Sequence, residues 1–356
     1  MNRMDYKKNL DELIRELDQK GGSDIHFNVG ASPAIRVDGE LIFLTDRPML
    51  DKEEVEKFLM AILDEKEKAV YMDTHDLDFS YLSSDSIRLR GNAYMEKDNP
   101  AIAFRRIPKV KTITELGLPE KIREFALFKQ GFFLVVGPMG QGKSTTMAAM
   151  VEAINEARSA HIITIEDPIE FTFENKKSII DQREIGTDTD SFESAMKSVF
   201  REDANVIMIG EMRNLETISA AVTAAETGHF VISTLHTNTA SQTIDRIIDS
   251  FPPNQQDQIR QQLAASLVGI ISQRLIPKIG GGRVLVYELL VGTPALSNLI
   301  RENRTHEIPV LIETGMDHGM VDMNRMLLDL ADKDIIAFAT AIEYSPNPDA
   351  LRRHSK

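Results

Sequence analysis

A glycine-rich loop of eight residues constrains the fold more than any other feature of the sequence. The loop fits the pattern G-x-x-x-x-G-K-S and runs Gly137-Pro138-Met139-Gly140-Gln141-Gly142-Lys143-Ser144, with Thr145 next. It follows the continuous apolar run 132–136, which is typical of a strand buried on both faces, and a helical stretch begins at about 144. Because a strand, this loop and a helix in that order form a phosphate-binding unit, the sequence predicts a nucleotide site.

The residue types of this loop suit phosphate binding. Glycines let the backbone wrap so closely that consecutive N–H groups point at phosphate oxygens, and the helix adds the positive end of its dipole. We expect Lys143 to reach the β- and γ-phosphates and Ser144 to ligate Mg²⁺. The alternative is a glycine turn that binds nothing, which the complete pattern in a strand–loop–helix setting disfavours.

Apolar runs and helical stretches alternate after the loop. We expect strands at 162–165, 206–209 and 230–233, and helices at about 144–157, 191–201 and 214–226. Alternation of this kind indicates a doubly wound, mainly parallel sheet. After residue 255 the pattern predicts mainly helix, interrupted by the glycines at 280–282 and a strand at 283–287.

The chain before the loop is expected to form a separate α+β domain over residues 1–107. Its predicted elements are helices at 9–19 and 51–72, a hairpin at Asp38-Gly39, and strands at 77–82, 86–95 and 101–106. This part carries no catalytic signature by itself. We expect a linker at 108–117, the domain that carries the phosphate loop at 118–345 and a flexible tail at 346–356.

Carboxylates close two of the predicted parallel strands. Glu166 follows the run 162–165, Glu211 follows 206–209, and His236 comes shortly after the third run. Ligands of parallel sheets bind outside the carboxyl ends of the strands, so these side chains converge on the phosphates if their strands neighbour that of the loop. Either Glu alone is more often a solvated strand-end charge, but two of them behind a phosphate loop favour catalysis. His229, beside Gly228, is a weaker candidate.

Composition excludes several classes of protein. The formal net charge is 41 − 55 = −14, which argues against a nucleic-acid-binding exterior. The absence of cysteine excludes disulfides, thiolate nucleophiles and Cys-ligated zinc. No apolar run approaches the roughly 18 residues that span a bilayer, and the charged start of the chain does not resemble a signal peptide. We therefore expect a cytoplasmic protein that binds neither zinc nor nucleic acid.

Four sequence blocks, taken in order, closely resemble the secretion-ATPase superfamily and within it the type IV pilus retraction ATPases. The phosphate loop is the Walker A block, 164–170 resembles the Asp box, 206–213 the Walker B block with Glu in place of the usual Asp, and 227–237 the His box. Residues 23–26 and 35–39 resemble the PAS-like N-terminal domain of these ATPases. The resemblance covers roughly residues 8–330 and implies a PAS-like domain followed by a RecA-like ATPase domain.

The resemblance also implies a mechanism and partners. Members work as homohexamers that bind ATP between the two domains, and domain rotation driven by the nucleotide powers pilus disassembly through an inner-membrane platform protein. Their phosphate-contacting arginines lie fifteen residues apart on the N-terminal domain, a spacing that Arg90 and Arg105 have here. Arg88 and Arg106 are the alternatives. We assign Glu166 as general base, and Ser144 with Glu211 (through water) to Mg²⁺, although the two Glu roles could be exchanged.

Departures from the family pattern affect the retraction role more than ATP turnover. Assembly and type II secretion ATPases commonly have an extra N-terminal domain, and many carry a tetracysteine zinc motif, so this short chain without cysteine favours the retraction type. A late motif tied to retraction has Ser297 where the family has Arg. Three alternatives stay open: an accessory or assembly motor, a nucleotide-binding regulator that hardly hydrolyses ATP, and a nucleic-acid motor.

Overall fold

The computed structural model describes residues 3–37, 39–85 and 87–354. The chain divides into two compact units, Met1–Lys109 and Val110–Lys356, and the division falls within the segment 108–117. Among the described residues, no helix is both long and apolar enough to cross a membrane.

The first unit is a sheet of six antiparallel strands with three helices. Its elements are α1 (Arg3–Gln19), β1 (Asp24–Asn28), β2 (Ala34–Val37), β3 (Glu40–Phe43), α2 (Lys52–Ile62), α3 (Glu65–Thr74), β4 (Asp76–Leu82), β5 (Arg88–Glu96) and β6 (Asn99–Arg106). The strands are ordered β3-β2-β1-β6-β5-β4. Helix α1 buries Leu10, Leu13 and Leu17, which confirms the apolar face expected over 9–19.

The structure refines two predictions for the first unit. The stretch 51–72 is two helices, because Asp64 caps α3 with a capping box that includes Glu67 and so restarts the helix after Leu63. Strands β2 and β3 pair antiparallel on either side of the expected hairpin turn, of which Asp38 lies outside the described residues.

The second unit is built on a seven-stranded sheet ordered β13-β12-β7-β11-β10-β8-β9. Its elements begin with α4 (Lys121–Ala126), β7 (Gly131–Val136), α5 (Lys143–Ala157), β8 (His161–Glu166), β9 (Ile179–Glu184), α6 (Phe192–Val199), β10 (Val206–Ile209), α7 (Leu215–Glu226) and β11 (Phe230–Leu235). They continue with α8 (Ala240–Asp249), α9 (Pro253–Ser266), β12 (Leu267–Pro277), β13 (Arg283–Val291), α10 (Pro294–Arg301), α11 (Ile308–Thr314), α12 (Met323–Asp332), α13 (Phe338–Tyr344) and α14 (Pro348–His354). Every neighbouring pair is parallel except β12 with β13, which confirms the mainly parallel sheet.

The sheet differs from the sequence prediction after residue 255. Residues 267–277 form the eleven-residue strand β12, not helix, and it lies between β7 and β13. The run is apolar on both faces at its start, so hydrophobic periodicity does not distinguish a buried strand from a buried helix there. Strand β9 is a second element that the sequence pattern did not indicate.

The segment 346–356, expected to be a flexible tail, contains a short helix. Residues Pro348–His354 form α14, and the side chain of Leu351 is fully buried in a small core with Ile276, Met323 and Leu327. Burial of this one leucine fixes the helix, a contact that a short polar sequence does not reveal. Ser355 and Lys356 lie outside the described residues.

Replacing Leu351 with alanine should release α14. A buried Leu→Ala change costs about 2–5 kcal/mol, which exceeds what a seven-residue helix gains from its own hydrogen bonds. Hydrogen exchange of residues 348–354 should therefore accelerate at least tenfold in L351A. The matched control is R352A on the exposed side of the same helix; equal exchange in L351A and R352A would mean that Leu351 does not hold the helix.

Candidate active site

The phosphate loop joins β7 to α5 and depends on three left-handed glycines. Gly140 and Gly142 have φ of 74° and 81°. Gly137 has φ of 145°, and a Cβ there would stand 2.4 Å from the carbonyl oxygen of Gln273. The left-handed conformations favour glycine at all three positions, and the close contact at Gly137 leaves no room for a side chain. The first hydrogen bond of α5 runs from the Thr146 N–H to the Gly142 carbonyl, so the preceding N–H groups of the helix have no intrahelical acceptor and suit an anion.

Lys143 is buried under this loop. Its Nζ donates to the carbonyl oxygens of Gly137 and Pro138, at 2.9 Å each, and lies 3.4 Å from His236 Nδ1. Burial lowers the pKa of Lys143, while the charges of Glu211 and Glu170 offset part of that effect. The ammonium group thus stands at the base of the loop with few solvent contacts.

The parallel register brings the predicted carboxylates to the same edge of the sheet. Strand β11 lies between β7 and β10, and Ile165 of β8, Ile209 of β10 and Ser233 of β11 lie at the same level. The residues just beyond these positions therefore face the phosphate loop. Together with the loop they line a cavity of about 490 Å³, and its charged or titratable lining residues include Glu166, Glu170, Glu211, Arg213 and His236.

Glu166 is the more buried of the two predicted carboxylates, with 6% of its surface exposed. It accepts hydrogen bonds from Thr164 Oγ1 at 2.7 Å and from Gln182 Nε2 at 3.2 Å, so β8 and β9 both orient it. Burial raises the pKa of Glu166, and these hydrogen bonds offset only part of that effect. A raised pKa is suited to a carboxylate that accepts a proton.

Glu211 is part of a chain of charged groups across the cavity. One carboxylate oxygen pairs with Arg213, and the other lies 3.4 Å from His236 Nε2. Arg213 also lies 3.6 Å from Asp167. Since His236 contacts Lys143 through its other ring nitrogen, the imidazole links the lysine of the loop to the carboxylate that closes β10.

The structure does not bring His229 into this cavity. It precedes β11 at the amino end of the strand, and its Nδ1 lies 3.0 Å from the Ala224 carbonyl oxygen. The six residues of β11 separate it from His236, a distance of about 20 Å at the usual rise per residue. The sequence offered His229 as a candidate because Gly228 stands beside it, but β11 places His229 and His236 at opposite ends of the strand.

Sequence reasoning missed Gln273, a buried residue of β12 that holds the loop. Its Nε2 donates to the Gln141 carbonyl oxygen at 2.7 Å and its Oε1 accepts from Thr146 Oγ1 at 2.8 Å. The Gln141 side chain in turn accepts from the backbone N–H of Leu275 at 2.5 Å. A polar residue within an apolar run could have indicated this role. The sequence pattern predicts helix for this run, so Gln273 was not placed beside the loop.

Arg90 and Arg105 lie in the first unit, directly opposite each other on β5 and β6. Arg90 pairs with Asp78 at 3.1 Å, and Arg105 pairs with Asp24 at 2.9 Å while 77% of its side chain remains exposed. Burial would raise the pKa of Asp24, but hydrogen bonds from Ser23 and Arg105 outweigh it and hold the pKa below its usual value. The two guanidinium groups form an exposed cationic pair on one sheet face.

Oxygen donors suited to Mg²⁺ are available beside the loop. The hydroxyl groups of Ser144 and Thr145 and the carboxylate of Glu211 line the same cavity, and hard oxygen ligands of this kind are those that Mg²⁺ prefers. Among the described residues, no group of three or more His, Asp or Glu side chains forms a metal cluster. The donor set therefore fits an ion shared with phosphate oxygens, not one caged by protein alone.

The phosphate loop, the carboxylates at the strand ends and the mainly parallel sheet define a P-loop NTPase. Comparison with known proteins gives the family. The family described as "Type II/IV secretion system protein" matches residues 5–320, and the chain belongs to it. It is 42% identical over 341 residues to the "Type IV pilus retractation ATPase PilT" of Pseudomonas aeruginosa, with 96% of this chain and 99% of that protein covered.

Two further proteins are similar over most of their length. A "Twitching motility protein" of Neisseria gonorrhoeae is 42% identical over 90% of this chain and 86% of its own. A crystal structure of the pilus retraction motor PilT with bound ADP superimposes with a TM-score of 0.88 at 47% identity, and covers 96% of this chain and 98% of its own. The likeness extends over both units of the chain.

Gln273→Met should loosen the phosphate loop. Methionine has a similar volume but makes neither hydrogen bond, and the loss of one or two buried hydrogen bonds costs about 1–3 kcal/mol. Amide exchange over residues 137–145 should therefore accelerate by roughly tenfold or more, and T146V, which removes one of the two bonds, should give a smaller increase. Gln255→Met, at an exposed position, is the control. Unchanged loop exchange in Q273M would contradict the holding role.

Proposed function

We propose that this protein is an ATP-hydrolysing motor of the type IV pilus machine and that it powers pilus retraction. The observation that carries the proposal is that Lys143 and the loop share one cavity with Glu166, Glu211 and His236. The full-length similarity to a pilus retraction ATPase and to an ADP-bound retraction motor supports it.

The loop and Lys143 bind the phosphates of ATP in this proposal. Backbone N–H groups of the loop and of the first turn of α5 donate to phosphate oxygens, and Lys143 exchanges its two carbonyl partners for the β- and γ-phosphates. Mg²⁺, when bound, neutralises the charge that develops on the transferred phosphoryl group. Ser144 would ligate it directly and Glu211 through water.

Glu166 is the proposed general base. Its carboxylate, oriented by Thr164 and Gln182, accepts the proton of the water that attacks the γ-phosphorus as the bond to the β,γ-bridging oxygen breaks. His236 lies between Lys143 and Glu211, and each of its ring nitrogens is 3.4 Å from one of the two groups. The pKa of Glu166 is raised, so turnover should fall as the pH drops through that pKa and the base becomes protonated.

The N-terminal arginines complete the site from a neighbouring subunit. Arg90 and Arg105 are adjacent and Arg105 is mostly exposed, so an incoming phosphate can meet two guanidinium groups at once. We propose a homohexamer in the cytoplasm, docked on an inner-membrane platform protein of the pilus, in which hydrolysis changes the angle between the domains of a chain.

Another motor role within the same family is the second candidate. Ser297 stands in the motif tied to retraction, and its Oγ donates to the Ala264 carbonyl oxygen at 2.7 Å, so this position contributes packing inside the unit where the family has a cation. An accessory retraction motor or an assembly motor would retain the same catalytic cavity. Complementation of twitching in a strain that lacks its retraction ATPase separates these roles from retraction.

Glu166→Gln should abolish most of the Mg²⁺-dependent ATP turnover while leaving nucleotide binding intact. A lost general base costs about 10²–10⁴-fold, whereas the phosphate loop is unchanged. The measurement is phosphate release beside ADP affinity across a protein concentration series, with K143A expected to lose both. K129A, an exposed lysine just before β7, is the matched control. Wild-type turnover no higher than that of K143A would favour a nucleotide-binding regulator.

Mixing two inactive variants tests whether the arginines act between subunits. R105A retains the phosphate loop and K143A retains the arginines, so a mixed ring contains some interfaces in which both elements are intact. We expect each variant alone to lose at least tenfold in turnover and the mixture to recover part of it. R88A, two register pairs from Arg90 along β5, should stay close to wild type. Inactive variants whose mixture gains nothing would contradict an action between subunits.

A further inference from the structure

A buried carboxylate of β13 that takes no part in the mechanism above lies next to the segment after His236. Glu288 is 7% exposed, and its Oε1 accepts a hydrogen bond from the backbone N–H of Ala240 at 2.8 Å. Ala240 is the first residue of α8, so the carboxylate satisfies one of the N–H groups that a helix start leaves without an intrahelical partner. The negative charge also faces the positive end of the helix dipole.

Only three residues separate His236 from α8, and all three are fixed by hydrogen bonds. The carbonyl oxygen of Asn238 accepts from Ser272 Oγ at 2.8 Å. The Thr237 and Thr243 hydroxyl groups lie 2.7 Å apart, and that of Thr243 also donates to the Thr239 carbonyl oxygen at 2.7 Å. The segment 237–239 therefore connects His236 to α8 with little freedom to move.

Strands β12 and β13 supply the anchors for this segment as a pair. Ser272 and Glu288 are direct partners in the antiparallel register, and they hold Asn238 and Ala240 respectively. Since Ser272 is also aligned with Val136 at the end of β7, the anchors and the strand that leads into the phosphate loop belong to the same sheet. The sheet thus sets the position of His236 relative to Lys143, because β12 and β13 anchor the segment after His236 and β7 leads into the loop before Lys143.

We propose that Glu288 is a positioning residue for ATP hydrolysis: by accepting the Ala240 N–H it fixes the segment 237–240 and keeps His236 between Lys143 and Glu211. The inference rests on the proposed ATPase function. The residues that line the cavity do not include Glu288, so its effect on chemistry is exerted through the position of His236.

The environment of Glu288 makes this anchor sensitive to pH near neutrality. Burial raises its pKa to about 7, the hydrogen bond from Ala240 lowers it, and the charges facing it are Asp322 at the start of α12, which raises the pKa, and Arg274 of β12, which lowers it. Above that pKa the ionised carboxylate makes a charge-assisted hydrogen bond to the helix start, and below it the protonated group makes a weaker one.

Two substitutions of Glu288 separate positioning from a purely structural role. E288A removes the acceptor, and we expect turnover at saturating ATP to fall about tenfold or more while ADP affinity stays within twofold, because the loop is untouched. E288Q keeps an uncharged acceptor and should lose only a few fold at pH 8. E313A and E313Q, at an exposed glutamate of α11, are the matched controls.

The pH profile supplies a readout that packing alone would not move. The ratio of wild-type to E288Q turnover cancels the titration of Glu166, which both proteins share. This ratio should rise on the order of fivefold between pH 6 and pH 8, because only the wild type gains charge at the anchor. A constant ratio would overturn the proposal, and if E288A does not fold this measurement decides alone.

The remaining outcomes distinguish the anchor from the function on which it rests. Faster amide exchange over 237–242 in E288A supports the anchoring contact independently of activity, and unchanged exchange overturns it. If the wild type hydrolyses ATP and the turnover of E288A is within twofold of the wild-type value, only the role of Glu288 is overturned. Parallel loss of turnover and ADP affinity also overturns it in favour of general destabilisation, whereas absence of turnover in the wild type overturns both proposals.

Discussion

The backbone hydrogen-bond register of the four central parallel strands sets the geometry of the site. Leu235 of β11 lies opposite Val136 of β7, and Ile209 of β10 lies opposite Ser233 and Ile165 on its two sides. A slip of one residue in any of these pairs would turn the side chains beyond it to the other face. The chemistry of the cavity therefore depends on the register of strands such as β7 and β10, which are fully buried, apolar and without charge themselves.

Burial shifts the pKa values of the basic and acidic groups in the cavity in opposite directions. It lowers the pKa of Lys143 and raises the pKa of Glu166, so both groups lose part of the preference for their charged forms. The chain tolerates this because each group has hydrogen-bond partners in the sheet or the loop. Glu211, which is more open to solvent, pairs instead with Arg213 and His236.

Local patterns predicted the parts of the site that lie in one stretch of sequence. The loop with Lys143, and the strand-closing Glu166 and Glu211, were accessible because a parallel sheet brings its carboxyl ends together. Gln273 and Glu288 were not accessible, because they contact residues more than forty positions away in the sequence. Gln273 also lies on β12, which the sequence pattern predicts as helix. Arg90 and Arg105 were assigned by resemblance alone; the structure adds that they are neighbours.

The hydrogen bonds of Lys143 to Gly137 and Pro138 have a consequence for the nucleotide cycle. A phosphate that binds this ammonium group competes with two backbone carbonyl oxygens that are already at 2.9 Å. The free energy gained by phosphate binding is the difference between the contacts to phosphate and the contacts to these carbonyls, because Lys143 without phosphate bonds to the loop and not to water. The protein's own backbone thus competes with the product for the same cation, which favours departure of ADP and readies the chain for another round.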